Sequence, residues 1–171
     1  MEKSQVELLI ESLDEAFHGP AWHGPSLRIA LRGLTARQAA ARPTKERHNL
    51  WELAVHCAYW KYAVKRRLLG KKEHTFAYAG HNFFTRPNGG KNSKPSETDW
   101  KRDLALLSKM HDELCDTVSH LDEGELDQPA RGSRQTPRFM VEGIAMHDAY
   151  HAGQIQLLRK LTRAKLLYQI K

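Results

Sequence analysis

Apolar residues return every three or four positions in four long stretches of the chain, with polar and charged residues filling the intervals. That period matches the roughly 3.6-residue turn of an α-helix and predicts one apolar face per stretch. The first stretch sets Val6, Leu9, Leu13 and Phe17 on one face and stops at Gly19-Pro20. A second opens at Asn49, a capping side chain with Glu52 three residues on to bond back, and runs to Gly70. Leu53, His56, Trp60 and Arg67 share its face. The third follows Pro95, with Ser96 as cap and Glu97 and Asp99 in the first turn. It carries Trp100, Leu104, Leu107, His111, Leu114, Val118 and Leu121 in alternating steps of four and three, the seam of a helix packed lengthwise on its neighbours. The fourth starts at Thr136-Pro137, a cap followed by proline at the first helical position, and continues to about Arg163. Its seam reads Met140, Ile144, His147, His151, Ile155 and Leu158.

Between the first two stretches, AWHGPSLRIALRGLTARQAAARP reads as a structured connector with two short helical pieces. Pro25 suits the first position of one, and Thr35 with Gln38 makes a capping box for the other. Residues 71–95 hold Gly80, Pro87, Gly89, Gly90 and Pro95 among lysines and keep no period, as lids, binding loops and mobile segments often do. No alternating strand-like run appears. The pattern therefore predicts an all-α four-helix bundle formed by one domain spanning residues 1–171, with the route of the long connection left open.

A chain of 171 residues buries enough surface, roughly 70% of the unfolded area, to dispense with staples. Cys57 and Cys115 lie far apart inside helical patterns, which fits a reducing compartment better than a disulfide framework. The charged, helix-like N-terminal segment is no secretory leader, and no apolar run approaches membrane-spanning length. A soluble cytoplasmic protein is expected. The formal charge of +7 is spread over Lys65, Arg66 and Arg67, Lys71 and Lys72, Arg131, Arg134 and Arg138, and Arg159, Lys160, Arg163 and Lys165. Several of these occupy final helical turns, where cations suit the helix dipole. No zinc-finger, RNA-binding or helix-turn-helix pattern accompanies them, so specific nucleic-acid binding is not indicated.

Chemistry concentrates in seam histidines. His147 and His151, in MHDAYHAGQ, stand four apart and can point ring nitrogens at one spot. His56 occupies an apolar stripe on another helix, from which a third imidazole can reach the same spot. Three neutral imidazoles suit zinc, nickel, iron, manganese or cobalt and leave coordination positions open. Core histidines satisfied by hydrogen bonds explain the same pattern, and spacing alone leaves the two readings level. The zincin signature is absent: Asp148 follows His147 where that motif has glutamate, and one residue on from the seam it is expected to point away. Tyr150 and Gln154 fall near the ligand face and are candidates for orienting water or substrate. His23, His81 and His111 are further candidates for pocket or proton-transfer roles.

GIAMHDAYHAGQIQLLRK resembles the last bundle helix of the DinB/YfiT-like superfamily of metalloenzymes, and NLWELAVHCAYWKYAVKRRL resembles its second helix. The connector, the HNFF stretch at residues 81–84 and the region from Trp100 to Leu126 extend the likeness over nearly the whole chain. The resemblance implies a four-helix bundle with a long crossover, in which His56, His147 and His151 hold a divalent ion. It also implies a homodimer and places the chain among thiol-dependent transferases and a maleylpyruvate isomerase; with the open triad, this gives the expectation of a metal-dependent enzyme of thiol-transferase or hydrolase type acting on a small molecule, a thiol among the candidates. A non-catalytic bundle that binds metal or a partner is the alternative. The size of the opening beside the histidines separates the two.

Overall fold

The computed structural model describes residues 2–70, 75–87, 94–130 and 132–168, with side chains described as far as Thr162. Gly89, Gly90, Lys71, Lys72 and Arg131 lie outside the described residues, as do the side chains of Arg163 and Lys165.

Caps placed by the sequence set the helix ends. Helix α1 (Gln5–Phe17) begins at a capping box in which Ser4 accepts from the Glu7 N–H and Glu7 accepts from the Ser4 N–H. Helices α2 (Leu27–Leu31) and α3 (Ala36–Ala40) form the connector, α3 with the Thr35–Gln38 capping box expected for it. Pro25 is not the first helical residue: Ser26, extended at φ −66° and ψ 168°, takes the cap position, and the proline stands before it. Helix α4 (Leu50–Leu68) starts with Asn49 accepting from the Glu52 N–H at 2.8 Å and is followed by Gly70 at φ 60°, a left-handed stop that suits glycine. Helix α5 (Glu97–Ser119) is capped by Ser96 and ends two residues before Leu121. Helix α6 (Pro137–Tyr168) starts where Thr136 accepts from the Phe139 N–H at 3.2 Å and runs five residues past Arg163.

The four long helices close a ring. Helix α4 packs between α5 and α6, α1 packs between the same two, and α2 and α3 cover α6 and the α4–α5 side. Among the described residues there is no strand, so the fold is all-α. No described helix is long and apolar enough to cross a membrane. Leu13, Leu114 and Ile155, placed inward by the helical period, are fully buried, a burial that stabilises by about 1.5–3 kcal/mol each. Trp51 and Trp100 meet edge to face at 5.3 Å, and both indole N–H groups find acceptors, in Asp103 and the Leu34 carbonyl.

Of the connection between α4 and α5, read from the sequence as a lid, binding loop or mobile segment, residues 75–87 are described. Residues 75–87 have no regular structure but are fixed to the bundle by a buried polar network. Asp103 of α5, itself inaccessible, accepts from Trp51, from the Arg86 Nε–H at 2.8 Å and from the Tyr78 hydroxyl. Asn49 donates to the Arg86 carbonyl at 2.8 Å, and the Arg86 N–H donates to Glu52 at 3.1 Å. Phe76, Tyr78 and Phe84 pack their rings together against Tyr59 and Tyr62. These bonds and ring contacts seat the segment against α4 and α5 as a wall of the bundle.

Candidate metal centre

His147 and His151 sit one turn apart on α6, and α4, packed against it, brings His56 to the same point. His147 Nε2 lies 3.1 Å from His56 Nε2 and 3.1 Å from His151 Nε2. All three rings are thus directed at a shared spot by their Nε2 atoms.

The outer nitrogen of two of the rings is engaged. His56 Nδ1–H donates to the Asn82 carbonyl at 2.9 Å, and His151 Nδ1–H donates to Gln154 Oε1 at 2.7 Å. Gln154 in turn donates to the Tyr150 hydroxyl at 2.8 Å. With their protons on Nδ1, His56 and His151 present lone pairs inward. His147 can carry a proton on Nε2 and satisfy one of them, or carry it on Nδ1 and add a third lone pair; its Nδ1 is buried without a hydrogen-bond partner. Either tautomer leaves a buried lone pair facing another nitrogen. One cation accepts all three, so the donor set fits a divalent transition metal.

Electrostatics favour the same chemistry. Burial, foremost, and then the adjacent imidazoles hold His147 at about 3. Burial likewise lowers His56 to about 4 against the Asn82 hydrogen bond, and it lowers His151. The rings therefore stay neutral at neutral pH, the state in which imidazole binds metal.

The long connection contributes the surrounding structure. Asn82 has φ +67°, a left-handed conformation that asparagine tolerates better than most residues. There its carbonyl faces His56 while its side chain accepts from Trp60 Nε1–H at 3.1 Å. Phe83 stacks on His56 at 4.0 Å and 8°, and His48 covers its other face at 3.7 Å and 4°. The histidines line an open pocket of about 720 Å³. Leu53, Trp60, Leu157, Leu158 and Leu161 give it an apolar side, while Arg47, His48, Tyr150 and Gln154 give it a polar one.

Tyr150 and Gln154 thus stand beside the triad, where spacing put them. His23 and His111 do not line this pocket: His23 lies in a hollow with Trp22 and Met146, and His111 pairs with Asp14 on α1. His81, exposed, adjoins Asn82 without lining the pocket. Asp148, expected to point away from the seam, is directed to α4 rather than to solvent. It is fully buried and accepts from Lys61 of α4, also fully buried; burial raises its carboxyl and the lysine opposes the rise. The physical reason is that α6 is covered on two sides, by α4 and by α1, which brings the residue beside the seam inside as well. Sequence reasoning missed Lys61, Asn82 and Phe83 as parts of the site; HNFF was the one string that pointed at the last two.

The family model of the DinB superfamily matches residues 21–155, a span that holds all three histidines and the wall segment. No curated protein and no solved structure matches the chain. The match covers most of the sequence, and the chain belongs to the DinB superfamily.

Proposed function

From that membership we propose that His56, His147 and His151 hold a divalent transition-metal ion and that the chain is a metal-dependent enzyme of thiol-transferase or hydrolase type. The observation that carries this reading is the meeting of three Nε2 atoms, at 3.1 Å from His147 to each neighbour, on the wall of an open pocket. When bound, such an ion supplies Lewis-acid chemistry, drawing the pKa of a water or thiol ligand toward neutrality. The residues of the chain do the rest. Asn82 and Gln154 hold His56 and His151 in the tautomers a ligand needs, and Phe83 fixes the His56 ring plane. Tyr150 already accepts from Gln154, so its own O–H is free to donate into the pocket. Leu53, Leu157 and Leu158 suit the apolar body of a small substrate, and Arg47 suits a negative group at its end. A pocket of about 720 Å³ admits water and a small molecule, which favours turnover over a closed, purely structural ion.

The reading includes a homodimer and a cytoplasmic setting. Phe139 and Met146 are exposed seven residues apart on α6 and outside the pocket, a patch that a second copy would cover. Both cysteines are unpaired, as in a reducing compartment.

The test is metal analysis of the purified chain, followed by thiol-transfer and hydrolase screens of chelated and metal-restored protein. Restored activity supports the proposal. Protein that binds no divalent ion and stays inert throughout rejects it.

A further inference from the structure

A second set of ligand-type side chains lies between α1 and α5. Asp14 and His18 stand four apart on α1 and its C-cap, and His111 and Cys115 stand four apart on α5, so each pair shares a face. His111 Nε2 is 2.9 Å from Asp14 Oδ1 and 3.5 Å from Cys115 Sγ, and the three donor atoms lie within 4.8 Å of one another. Phe17 stacks on the His111 ring at 3.9 Å and holds its plane. The exposed His18 ring stands nearly perpendicular to the His111 ring, with centroids 5.1 Å apart.

We propose that Asp14, His111 and Cys115 form a second divalent-metal site that joins α1 to α5. Hydrogen bonding alone accounts for the Asp14 contact but not for the sulfur at the same ring nitrogen. That nitrogen carries either one proton or one lone pair and serves one partner well. A cation serves every donor together. Around a tetrahedral zinc ion, bonds of about 2.3 Å to sulfur and 2.0 Å to nitrogen put those two atoms about 3.5 Å apart. The Cys115–His111 separation has that value already. The same geometry asks for about 3.3 Å between nitrogen and oxygen, so Asp14 must withdraw by a few tenths of an ångström. Its side chain is 52% exposed and free to do so.

Binding balances simply. Cys115 releases its thiol proton to solvent and coordinates as thiolate, and the His111 proton moves from Nε2 to Nδ1, so one proton leaves per ion bound. His111 Nδ1 has no hydrogen-bond partner, so the shift exchanges one unpaired state for another. In the metal-free protein burial holds the Cys115 thiol up at about 12, which keeps it unreactive until an ion takes the proton's place. Two anionic donors, one of them sulfur, make this site softer than the three-imidazole centre and select zinc or cobalt over manganese or magnesium.

Cobalt(II) titration of the full chain reads the site directly, because thiolate ligation gives a near-ultraviolet charge-transfer band that an all-imidazole centre lacks. Wild-type protein and a His147→Ala/His151→Ala variant should both develop the band, so the outcome does not depend on the three-histidine proposal. Cys115→Ser should abolish it, and Asp14→Asn, a change at an exposed position, should weaken cobalt binding at this site at least tenfold with the fold intact by circular dichroism. Absence of the band in wild-type protein overturns the proposal. So does a band that survives in Cys115→Ser and disappears in Cys57→Ser, which would place the thiolate at the other cysteine.

Discussion

Replacing Lys61 by methionine tests the foundation of the histidine centre. Lys61 and Asp148 are both fully buried, and Asp148 is the chain neighbour of His147, with Oδ1 already lacking a partner. Methionine fills much of the lysine volume but leaves a carboxylate uncompensated inside the bundle, a defect that costs about 3–5 kcal/mol. Part of the cost is avoidable, because Asp148 can take up a proton; burial already raises its carboxyl above 3.8 and Lys61 is what opposes the rise. A raised folded-state pKa gives stability that is present at low pH and lost as pH rises toward the folded value. The deficit of Lys61→Met should therefore be smallest near pH 5 and widen toward pH 7, by at most about 1.4 kcal/mol per unit. Urea unfolding, followed by tryptophan fluorescence at both pH values, gives the two numbers. Lys61→Met/Asp148→Leu, which removes both charges, should recover most of the loss. A deficit below about 1 kcal/mol, or one that does not change with pH, would refute the buried-pair reasoning.

Asn82 offers a second test. Asn82→Ala should cost about 1 kcal/mol for its left-handed backbone and weaken metal binding about tenfold, while Asn82→Gly keeps the backbone and hence most of the affinity. Equal affinities of both variants and wild type in a zinc titration would contradict that role. In metal-free protein, His111 is lowered from 6.5 to about 4 by burial first and Lys61 second, and so contributes stability present above about pH 6.5. That contribution is lost as the pH falls toward 4, up to about 3 kcal/mol in all, and His111→Gln should flatten the acid limb of stability against pH. For the dimer, sedimentation should give two copies for wild type and one for Met146→Glu; a monomeric wild type would remove that part of the proposal.

The helical periods carried most of the fold, because each long helix buries a stripe and the stripes of α1, α4, α5 and α6 are continuous in sequence. Asn49, Thr35, Ser96 and Thr136 marked helix starts for a local reason: a cap and the backbone N–H it serves are three residues apart. Asp103, Lys61 and Asp148 were illegible. Each reads as a polar residue on a solvated face, and only a partner on another helix, or in a loop without a period, explains its burial. The same limit applies at the site. His147 and His151 announce each other through spacing of four, whereas Asn82 acts on His56 from 26 residues away through a backbone carbonyl that any residue type could supply. His111 shows the converse, a seam position that leads to a different cluster because its facing residue is Asp14 of α1.

The most direct measurement is a crystal grown with zinc and recorded at the zinc absorption edge. An anomalous peak is expected at about 2.0–2.1 Å from Nε2 of His56, His147 and His151, with a position open toward the pocket. No peak there at saturating zinc, with the three Nε2 atoms still facing only one another, would contradict the three-histidine site.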